Sequence, residues 1–334
     1  STPSYNPNPF VTGISSHDYQ QLLSNPNHPL YNRSIRGLFS PGSTIKPFYA
    51  IAALSDHYIT KASQIFDPGW FQLPHTKHIY HDWKRNGHGW VNITKAITVS
   101  CDTFFYELAV QMGIKEIDNT LHRFGFGLPT GIDIGEELPG TVPSPQWKRT
   151  HQEHPWYTGD TIITGIGQGS LLVTPLQLAE ATAMLAEHGK HIQPHLLLYS
   201  SLANDKTEFT PMIDPTIYAH HSAAWSTVIK AMTNVIYSAK GTAVRFGKKT
   251  SYIAAGKTGT AQVYGKTRDE EYARTNIPKK LRNNHLFIVF APVKHPKIAL
   301  AVVVEHAGEA DGVARKIIDF YLHGDQPSNQ KGHT

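Results

Sequence analysis

The chain has 334 residues, of which 40% are hydrophobic, so it can bury at least one substantial core. Its net charge of +5 and its pI near 9.0 are compatible with a protein that binds nucleic acid. The Lys and Arg residues are dispersed, apart from the segment 266–282, so we expect a solvated surface and no nucleic-acid partner. No apolar run approaches the ~20 residues that a membrane-spanning helix requires.

A Ser-x-x-Lys motif is formed by Ser43 and Lys46. The preceding Pro-Gly pair predicts a turn, and the apolar segment 44–54 predicts a helix. Because positions three apart share a helix face, Lys46 is expected beside Ser43, where a neutral amine can accept the hydroxyl proton if burial lowers its pKa. The alternative is that Ser43 only caps the helix and Lys46 is a surface residue.

A Ser-x-Asp motif follows at Ser100 and Asp102, between two segments with helical apolar spacing, 91–99 and 103–112. The motif is therefore predicted on a tight turn between two helices, which can present Ser100 to the first motif. Asp102 is also suited to capping the second helix.

The third motif is the run Lys257, Thr258, Gly259 and Thr260, within a predicted strand at 252–263. Lys257 supplies a cation for a substrate carboxylate, the threonines supply hydroxyls, and Gly259 is expected to leave room for substrate backbone along the strand edge.

Further along the chain, segments 286–293 and 298–305 predict a hairpin. The charged segment between them and the third motif, 264–284, predicts a mobile loop. Scaffold helices are predicted over 174–187, 221–238 and 313–323.

The order and spacing of the three motifs resemble the penicillin-recognising enzymes. Four stretches, 38–43, 102–106, 165–169 and 255–262, resemble the transpeptidase domains of elongation-type class B penicillin-binding proteins. The resemblance spans nearly the whole chain. It implies an α/β (α+β) fold with an antiparallel sheet flanked by helices, plus an all-helical subdomain. We expect one transpeptidase domain over 1–326, lacking N-terminal strands of the family, and a polar tail over 327–334.

The resemblance also implies a reaction. Lys46 activates Ser43 to attack the carbonyl between the two terminal D-alanines of a peptidoglycan stem peptide. Ser100 relays a proton to the leaving amine, Asp102 stands where many relatives have asparagine, and the backbone N–H groups of Ser43 and Thr260 form the oxyanion hole. An amine of a neighbouring stem then closes the cross-link, and β-lactams trap the serine as an ester. No cofactor is implied for catalysis.

Cys101, the single cysteine, lies inside the middle motif and is expected to point away from Ser100 and Asp102. The preceding segment contains Asp67, Asp82 and His88, without helical or strand periodicity. Together with the thiol they suit tetrahedral Zn²⁺. Some elongation-type enzymes carry zinc on a matching set, so the resemblance implies a structural zinc. The alternative is that Cys101 is a small buried residue and His88 an ordinary histidine. Rival ligands are His75, His78 and His81.

Other functions share these motifs. A D-alanyl-D-alanine carboxypeptidase would use water as the acceptor, and a non-catalytic β-lactam sensor would keep the fold. A serine β-lactamase must hydrolyse its ester, but the Glu-x-x-x-Asn spacing of class A enzymes is absent. The resemblance implies a periplasmic location, with the parent protein anchored by an N-terminal transmembrane helix that this chain lacks. It implies as partners a SEDS-family glycosyltransferase and the rod-shape complex, mostly through regions absent here.

Overall fold

The computed structural model describes residues 2–202, 205–262, 278 and 281–324. A 3-10 turn spans Gly42–Ile45. The helices within these ranges are α1 Asn8–Thr12, α2 Ser16–Ser24, α3 Arg33–Arg36, α4 Lys46–Ser55, α5 Ile93–Val99, α6 Asp102–Arg123, α7 Pro145–Gln152, α8 Thr158–Thr164, α9 Pro175–Ala186, α10 Ser222–Tyr237, α11 Val244–Gly247 and α12 Ala310–His323. The strands are β1 Gln64–Asp67, β2 Trp70–Gln72, β3 Ile79–His81, β4 Gly89–Asn92, β5 Tyr199–Leu202, β6 Asp205–Glu208, β7 Ala255–Ala261, β8 Asn284–Ala291 and β9 Ile298–Val304.

The main sheet of the described residues is antiparallel, with the order β7-β8-β9. Its central strand β8 is buried along almost its whole length, because α9 and α12 both pack on the sheet. This explains the continuous apolar run in place of alternation. The predicted third-motif strand and the hairpin are therefore confirmed, with shorter bounds for the strand.

Helix α4 forms the centre of the helical region and is almost wholly buried. It packs against α6 and α10, and the ring of Phe48 contacts those of Phe124 and Phe126 at centroid distances of 4.9 and 5.3 Å. The helix predicted over 44–54 is confirmed, although its first turn is a 3-10 turn. The serine motif therefore leads directly into a helix that is packed in the core.

The other predicted scaffold helices correspond to α9, α10 and α12. Thr174 begins α9 with a capping box, because its hydroxyl accepts from the N–H of Gln177 while the Gln177 side chain accepts from its backbone. Most of the expected mobile loop and the whole polar tail lie outside the described residues.

The segment before the middle motif differs from expectation. We expected no regular structure there, but β1 pairs with β4 and β2 with β3, which gives two antiparallel ribbons. The strands have only three or four residues, and large side chains such as Phe66 and Trp90 are exposed, so no apolar alternation marks them. We call this segment, residues 64–92, the ribbon lobe. Within the described ranges, every helix is too short or too polar to cross a membrane.

Candidate active site

Ser43 lies in the 3-10 turn that leads into α4. The turn approaches β7 closely at Gly42, where φ is +54° and a Cβ atom would lie 2.6 Å from the carbonyl oxygen of Thr260. The Gly42 N–H donates to the Gly167 carbonyl at 2.8 Å. Glycine is thus required at this position both for its conformation and for its size. Among the described residues, the Ser43 hydroxyl has no hydrogen-bond partner, so it is available to a substrate.

Gly259, on β7, also permits the close approach of this strand to the serine turn. A Cβ atom there would lie 2.7 Å from the Thr44 methyl carbon and 2.9 Å from the Pro41 carbonyl oxygen. We expected Gly259 to leave room for substrate backbone, but the space it leaves is filled by the serine turn. The third motif therefore requires glycine because two parts of the protein meet there.

Lys46 is fully buried, and its Nζ atom donates to three acceptors of the middle motif. These are the carbonyl oxygens of Ser100 and Cys101, at 3.1 and 3.3 Å, and the Asp102 carboxylate, at 2.6 Å. Its Nζ atom also lies 5.2 Å from the ring centre of Phe105. The first two motifs are thus joined directly, and Lys46 is not the surface residue of the alternative interpretation.

Ser100 ends α5 in the left-handed conformation, with φ of +58°. The predicted tight turn between two helices is confirmed, since α6 begins at Asp102. A left-handed conformation is uncommon for serine and aims its side chain away from both helices. The Ser100 hydroxyl accepts from Nζ of Lys257 at 2.8 Å.

Lys257 is fully buried, and burial lowers its pKa well below the ordinary range. The nearby charge of Lys46 lowers that pKa further, while Asp102 opposes the shift. A lysine in such surroundings loses its proton more readily than an ordinary lysine and can exchange a proton with a neighbouring hydroxyl.

The cap of α6 is not the residue expected. Cys101 occupies the N-cap position, and its sulfur accepts from the Phe104 N–H at 3.4 Å. The N–H groups of Asp102 and Thr103 donate instead to Oδ2 of Asp82, at 2.6 and 3.1 Å. The Asp102 side chain can therefore pair with Lys46. The Asp82 carboxylate, which belongs to the ribbon lobe, binds the first N–H groups of α6.

The edge of β7 carries two contacts that the motifs did not predict. The Gln168 amide donates to the Thr260 carbonyl at 2.8 Å, from the glycine-rich segment 165–169. Since a strand residue directs its N–H and C=O to the same side, the Thr260 N–H also faces this open edge, beside Gly42. Thr258 shares a hydrogen bond of 2.6 Å with Thr242. Gln168 lies in one of the four stretches that carry the resemblance, but no role was predicted for it, and Thr242 lies outside all of them, so proximity in the fold identifies both contacts.

The four predicted metal ligands come together behind the catalytic turn. One ligand atom from each of Asp67, Asp82, His88 and Cys101 lies within 4.8 Å of the others. Nδ1 of His88 is 2.7 Å from Oδ2 of Asp67, and Sγ of Cys101 is 3.4 Å from the same oxygen. Burial, followed by the charge of Asp82, raises the pKa of the Cys101 thiol.

This donor set fits Zn²⁺. Two carboxylates, one imidazole and one thiol supply the ligand types and the number that a closed tetrahedral site requires. The cluster is largely buried, and Nε2 of His88 has no hydrogen-bond partner there. The rival residues His75, His78 and His81 are not part of the cluster.

The three motifs thus come together in one cluster, in which two buried lysines meet at the middle motif. A model of the family described as the penicillin binding protein transpeptidase domain matches residues 1–319. The chain belongs to this family. The expected fold is thereby confirmed.

Named relatives are similar over almost the whole chain. The peptidoglycan D,D-transpeptidase MrdA of Haemophilus influenzae is 42% identical over 335 residues, which cover 99% of this chain and 52% of the relative. MrdA of Escherichia coli K12 is 41% identical over 328 residues, which cover 97% of this chain and 52% of the relative. The chain therefore spans about half the length of these curated relatives.

Solved structures of related proteins have the same fold. The crystal structure of Pseudomonas aeruginosa PBP2 in complex with WCK 5153 has a TM-score of 0.84 and 41% identity, covering 98% of this chain and 70% of that one. PBP2 of Helicobacter pylori, in its complex with MreC, has a TM-score of 0.82 and 32% identity, covering 96% of this chain and 56% of that one. The resemblance to the elongation-type, PBP2/MrdA group is confirmed.

Proposed function

We propose that this chain is the catalytic domain of a peptidoglycan D,D-transpeptidase that cross-links stem peptides through a serine acyl-enzyme. The observation that carries the proposal is the meeting of Lys46 and Lys257 at Ser100, next to a serine turn packed on β7. Relatives at 41–43% identity are named as such transpeptidases, which supports the same reaction.

In the proposed first step, Lys46 is in its neutral form. Ser43 attacks the carbonyl between the two terminal D-alanines, and Lys46 accepts the proton of its hydroxyl. The Asp102 carboxylate, 2.6 Å from Lys46, stabilises the ammonium that forms. The N–H groups of Ser43 and Thr260 stabilise the oxyanion, a contribution of roughly 10²–10³ in rate for one donor.

In the proposed second step, the leaving amine takes a proton from the Ser100 hydroxyl. Lys257 in its neutral form, 2.8 Å from that hydroxyl, accepts the proton that Lys46 took from Ser43 and returns it to Ser100. The last D-alanine departs. An amine of a neighbouring stem then attacks the ester, so that the cross-linking amide forms, the bond to Ser43 breaks, and the amine proton returns to the Ser43 oxygen. Thr258 and Thr260 bind the donor carboxylate on the edge of β7. A β-lactam reacts with Ser43 in the same way and remains as an ester.

The test of the nucleophile is intact-mass spectrometry after mixing with benzylpenicillin. We expect one stable adduct on the wild-type chain and none on Ser43→Ala. Ser55→Ala is the matched control, because Ser55 is buried on the following helix and its hydroxyl contacts no partner. It should be acylated like the wild type. An adduct on Ser43→Ala, or none on the folded wild type, would refute the proposal.

The same sample separates the related reactions. Rapid loss of the adduct with drug hydrolysis would indicate a β-lactamase. With a D-alanyl-D-alanine donor and an added amine acceptor, a transpeptidase gives the amide product. A carboxypeptidase gives only the hydrolysed donor, and a sensor gives neither.

We also propose that Asp67, Asp82, His88 and Cys101 bind a structural zinc ion. When bound, zinc would tie the ribbon lobe to the catalytic turn and neutralise the cluster's negative charge. Elemental analysis of the wild type should give one zinc per chain, and Cys101→Ser should lose it. His78→Ala alters an exposed histidine of the same lobe and should keep it. Equal zinc content in all three proteins would exclude this site.

For the intact protein we propose a periplasmic location and partners in the rod-shape complex, including a SEDS-family glycosyltransferase. The support is the complex that a relative, H. pylori PBP2, forms with MreC. Co-purification of the intact protein with these partners from its own cells tests the proposal, and recovery without them would count against it.

A further inference from the structure

Trp83 is exposed and yet firmly held. It lies directly after Asp82 in the ribbon lobe, and 59% of its surface is open to solvent. Its indole Nε1 donates to the Val99 carbonyl at 3.1 Å, and its backbone N–H donates to Oδ2 of Asp102 at 3.3 Å. The ring also packs against His88, with 5.5 Å between ring centres. A large aromatic ring fixed by these contacts but left open to solvent is suited to binding a ligand.

The two hydrogen bonds of Trp83 place it at the mouth of the catalytic site. Val99 directly precedes Ser100, and the other carboxylate oxygen of Asp102 accepts from Lys46. The indole therefore lies on the wall formed by the middle motif. Lys257, on β7, donates through Nζ to the hydroxyl of Ser100, so the third motif meets the same turn. A substrate held against β7 at this point lies beside the turn to which Trp83 is hydrogen-bonded.

We propose that Trp83 is a specificity-determining residue that contacts an apolar side group on the acyl part of the donor or of a β-lactam. This inference rests on the proposed acyl transfer and goes beyond it, because it identifies which part of the substrate the ribbon lobe recognises. An aromatic contact of this kind changes a rate constant by about 3- to 10-fold.

A purely structural role for Trp83 makes a different prediction. If the indole only stabilises the ribbon lobe through its hydrogen bond to Val99, loss of its N–H would slow acylation by all substrates equally. If the ring binds the side group, only substrates that carry such a group are affected. Two variants separate these roles: Trp83→Phe keeps a ring and loses the donor, whereas Trp83→Gln keeps an amide donor and loses the ring.

The experiment measures the second-order rate constant of acylation of the full chain by two penicillins. One is benzylpenicillin, and the other is the analogue with an acetyl side chain, which has the same amide but no ring. We expect the ratio of the two constants to fall about 3- to 10-fold in Trp83→Gln and to stay close to wild type in Trp83→Phe. Trp90→Ala is the matched control, since Trp90 is 65% exposed on the same lobe and packs edge-to-face against Phe66.

The outcomes are distinct. A ratio that stays at the wild-type value in Trp83→Gln, or that falls equally in Trp90→Ala, overturns the inference even if acylation itself persists. A ratio that falls in Trp83→Phe as much as in Trp83→Gln assigns the effect to the hydrogen bond, and also overturns it. Absence of acylation by either penicillin in the folded wild type would instead refute the proposed function, and this inference with it.

Discussion

Nζ of Lys257 lies 2.8 Å from Oγ of Ser100, while the backbone carbonyl of the same serine accepts from Lys46 at 3.1 Å. The sequence predicted Lys257 as a cation for the substrate carboxylate. The structure adds a contact with the middle motif, in surroundings that lower the pKa of Lys257, chiefly through burial. Lys257 can therefore move a proton as well as bind an anion.

We expect Lys257→Arg to lose most of the acylation rate, by roughly 10²–10⁴-fold, because arginine keeps its charge and cannot act as a proton acceptor. In the wild type, the rate should fall as the pH is lowered through the depressed pKa of Lys257, since protonation removes the neutral amine. The measurement is the acylation rate against pH for both proteins. Lys294→Arg, at an exposed lysine, is the control. Near-normal acylation by Lys257→Arg would show that only the charge matters.

The second prediction concerns Gly259→Ala. The new methyl group would meet the Thr44 side chain and the Pro41 carbonyl within 3 Å, so the serine turn must move away from β7. A displacement of about 1 Å is expected to cost on the order of 10²-fold in acylation rate. Gly312→Ala is the control, because Gly312 lies in α12 with no atom nearer than 3.9 Å to the new methyl group. Equal acylation rates in the two variants would contradict this view of Gly259.

Much of the fold was predictable because the signals were local. The spacing of apolar residues along α4 and α10, and the continuous apolar run of β8, each report burial within one element. The turn at Ser100 was predictable because two helical patterns flank it. The motif order then predicted which elements meet, and the contacts of Lys46 and Lys257 show that they do.

The ribbon lobe was not predictable in the same way. Its pairing joins Gln64 to Asn92 across many residues, and its short strands expose Phe66 and Trp90. No local periodicity marks such strands, because each has only three or four residues and apolar side chains occur on both their buried and their exposed positions. The cap of α6 was assigned to Asp102 for a related reason: the carboxylate that takes this role, from Asp82, comes from a distant part of the sequence.

This cap leads to a third prediction. Asp82→Ala leaves the buried N–H groups of Asp102 and Thr103 without an acceptor, which should lower the free energy of unfolding by about 1–2 kcal/mol. The measurement is urea unfolding with a chelator present, so that any bound metal does not contribute. Cys101→Ser is the comparison, because serine keeps an acceptor at the N-cap position. If both variants lose the same stability under these conditions, capping by Asp82 is not the cause.

The fourth prediction concerns a buried ionisable group far from the catalytic motifs. His191 lies between two carboxylates, with Nε2 at 2.6 Å from Glu180 and Nδ1 at 2.6 Å from Asp214. Burial raises the pKa of Glu180 to about 7, against the hydrogen bond from His191, and the charges of Glu137 and Asp214 add to the rise. Burial alone would lower the pKa of His191, but its two carboxylate partners raise it overall.

Both pKa values are therefore higher in the folded chain than in the unfolded one. For Glu180 the resulting stability is fully present below its usual pKa of 4.5 and is lost as the pH rises through about 7. For His191 the stability is present below its usual 6.5 and is lost as the pH rises through the raised folded value. This cluster should therefore contribute less to the free energy of unfolding of the wild type at about pH 8 than at about pH 5.

Glu180→Gln keeps an oxygen acceptor for His191 but cannot titrate, so it should flatten this part of the pH dependence and lose less stability at high pH. The matched control is Glu187→Gln, which changes an exposed carboxylate just after the same helix and should retain the wild-type slope. Urea unfolding of the three proteins across this pH range makes the comparison. If Glu180→Gln and the wild type show the same slope, the cluster does not bind the additional proton, and the pH dependence of stability must come from other groups.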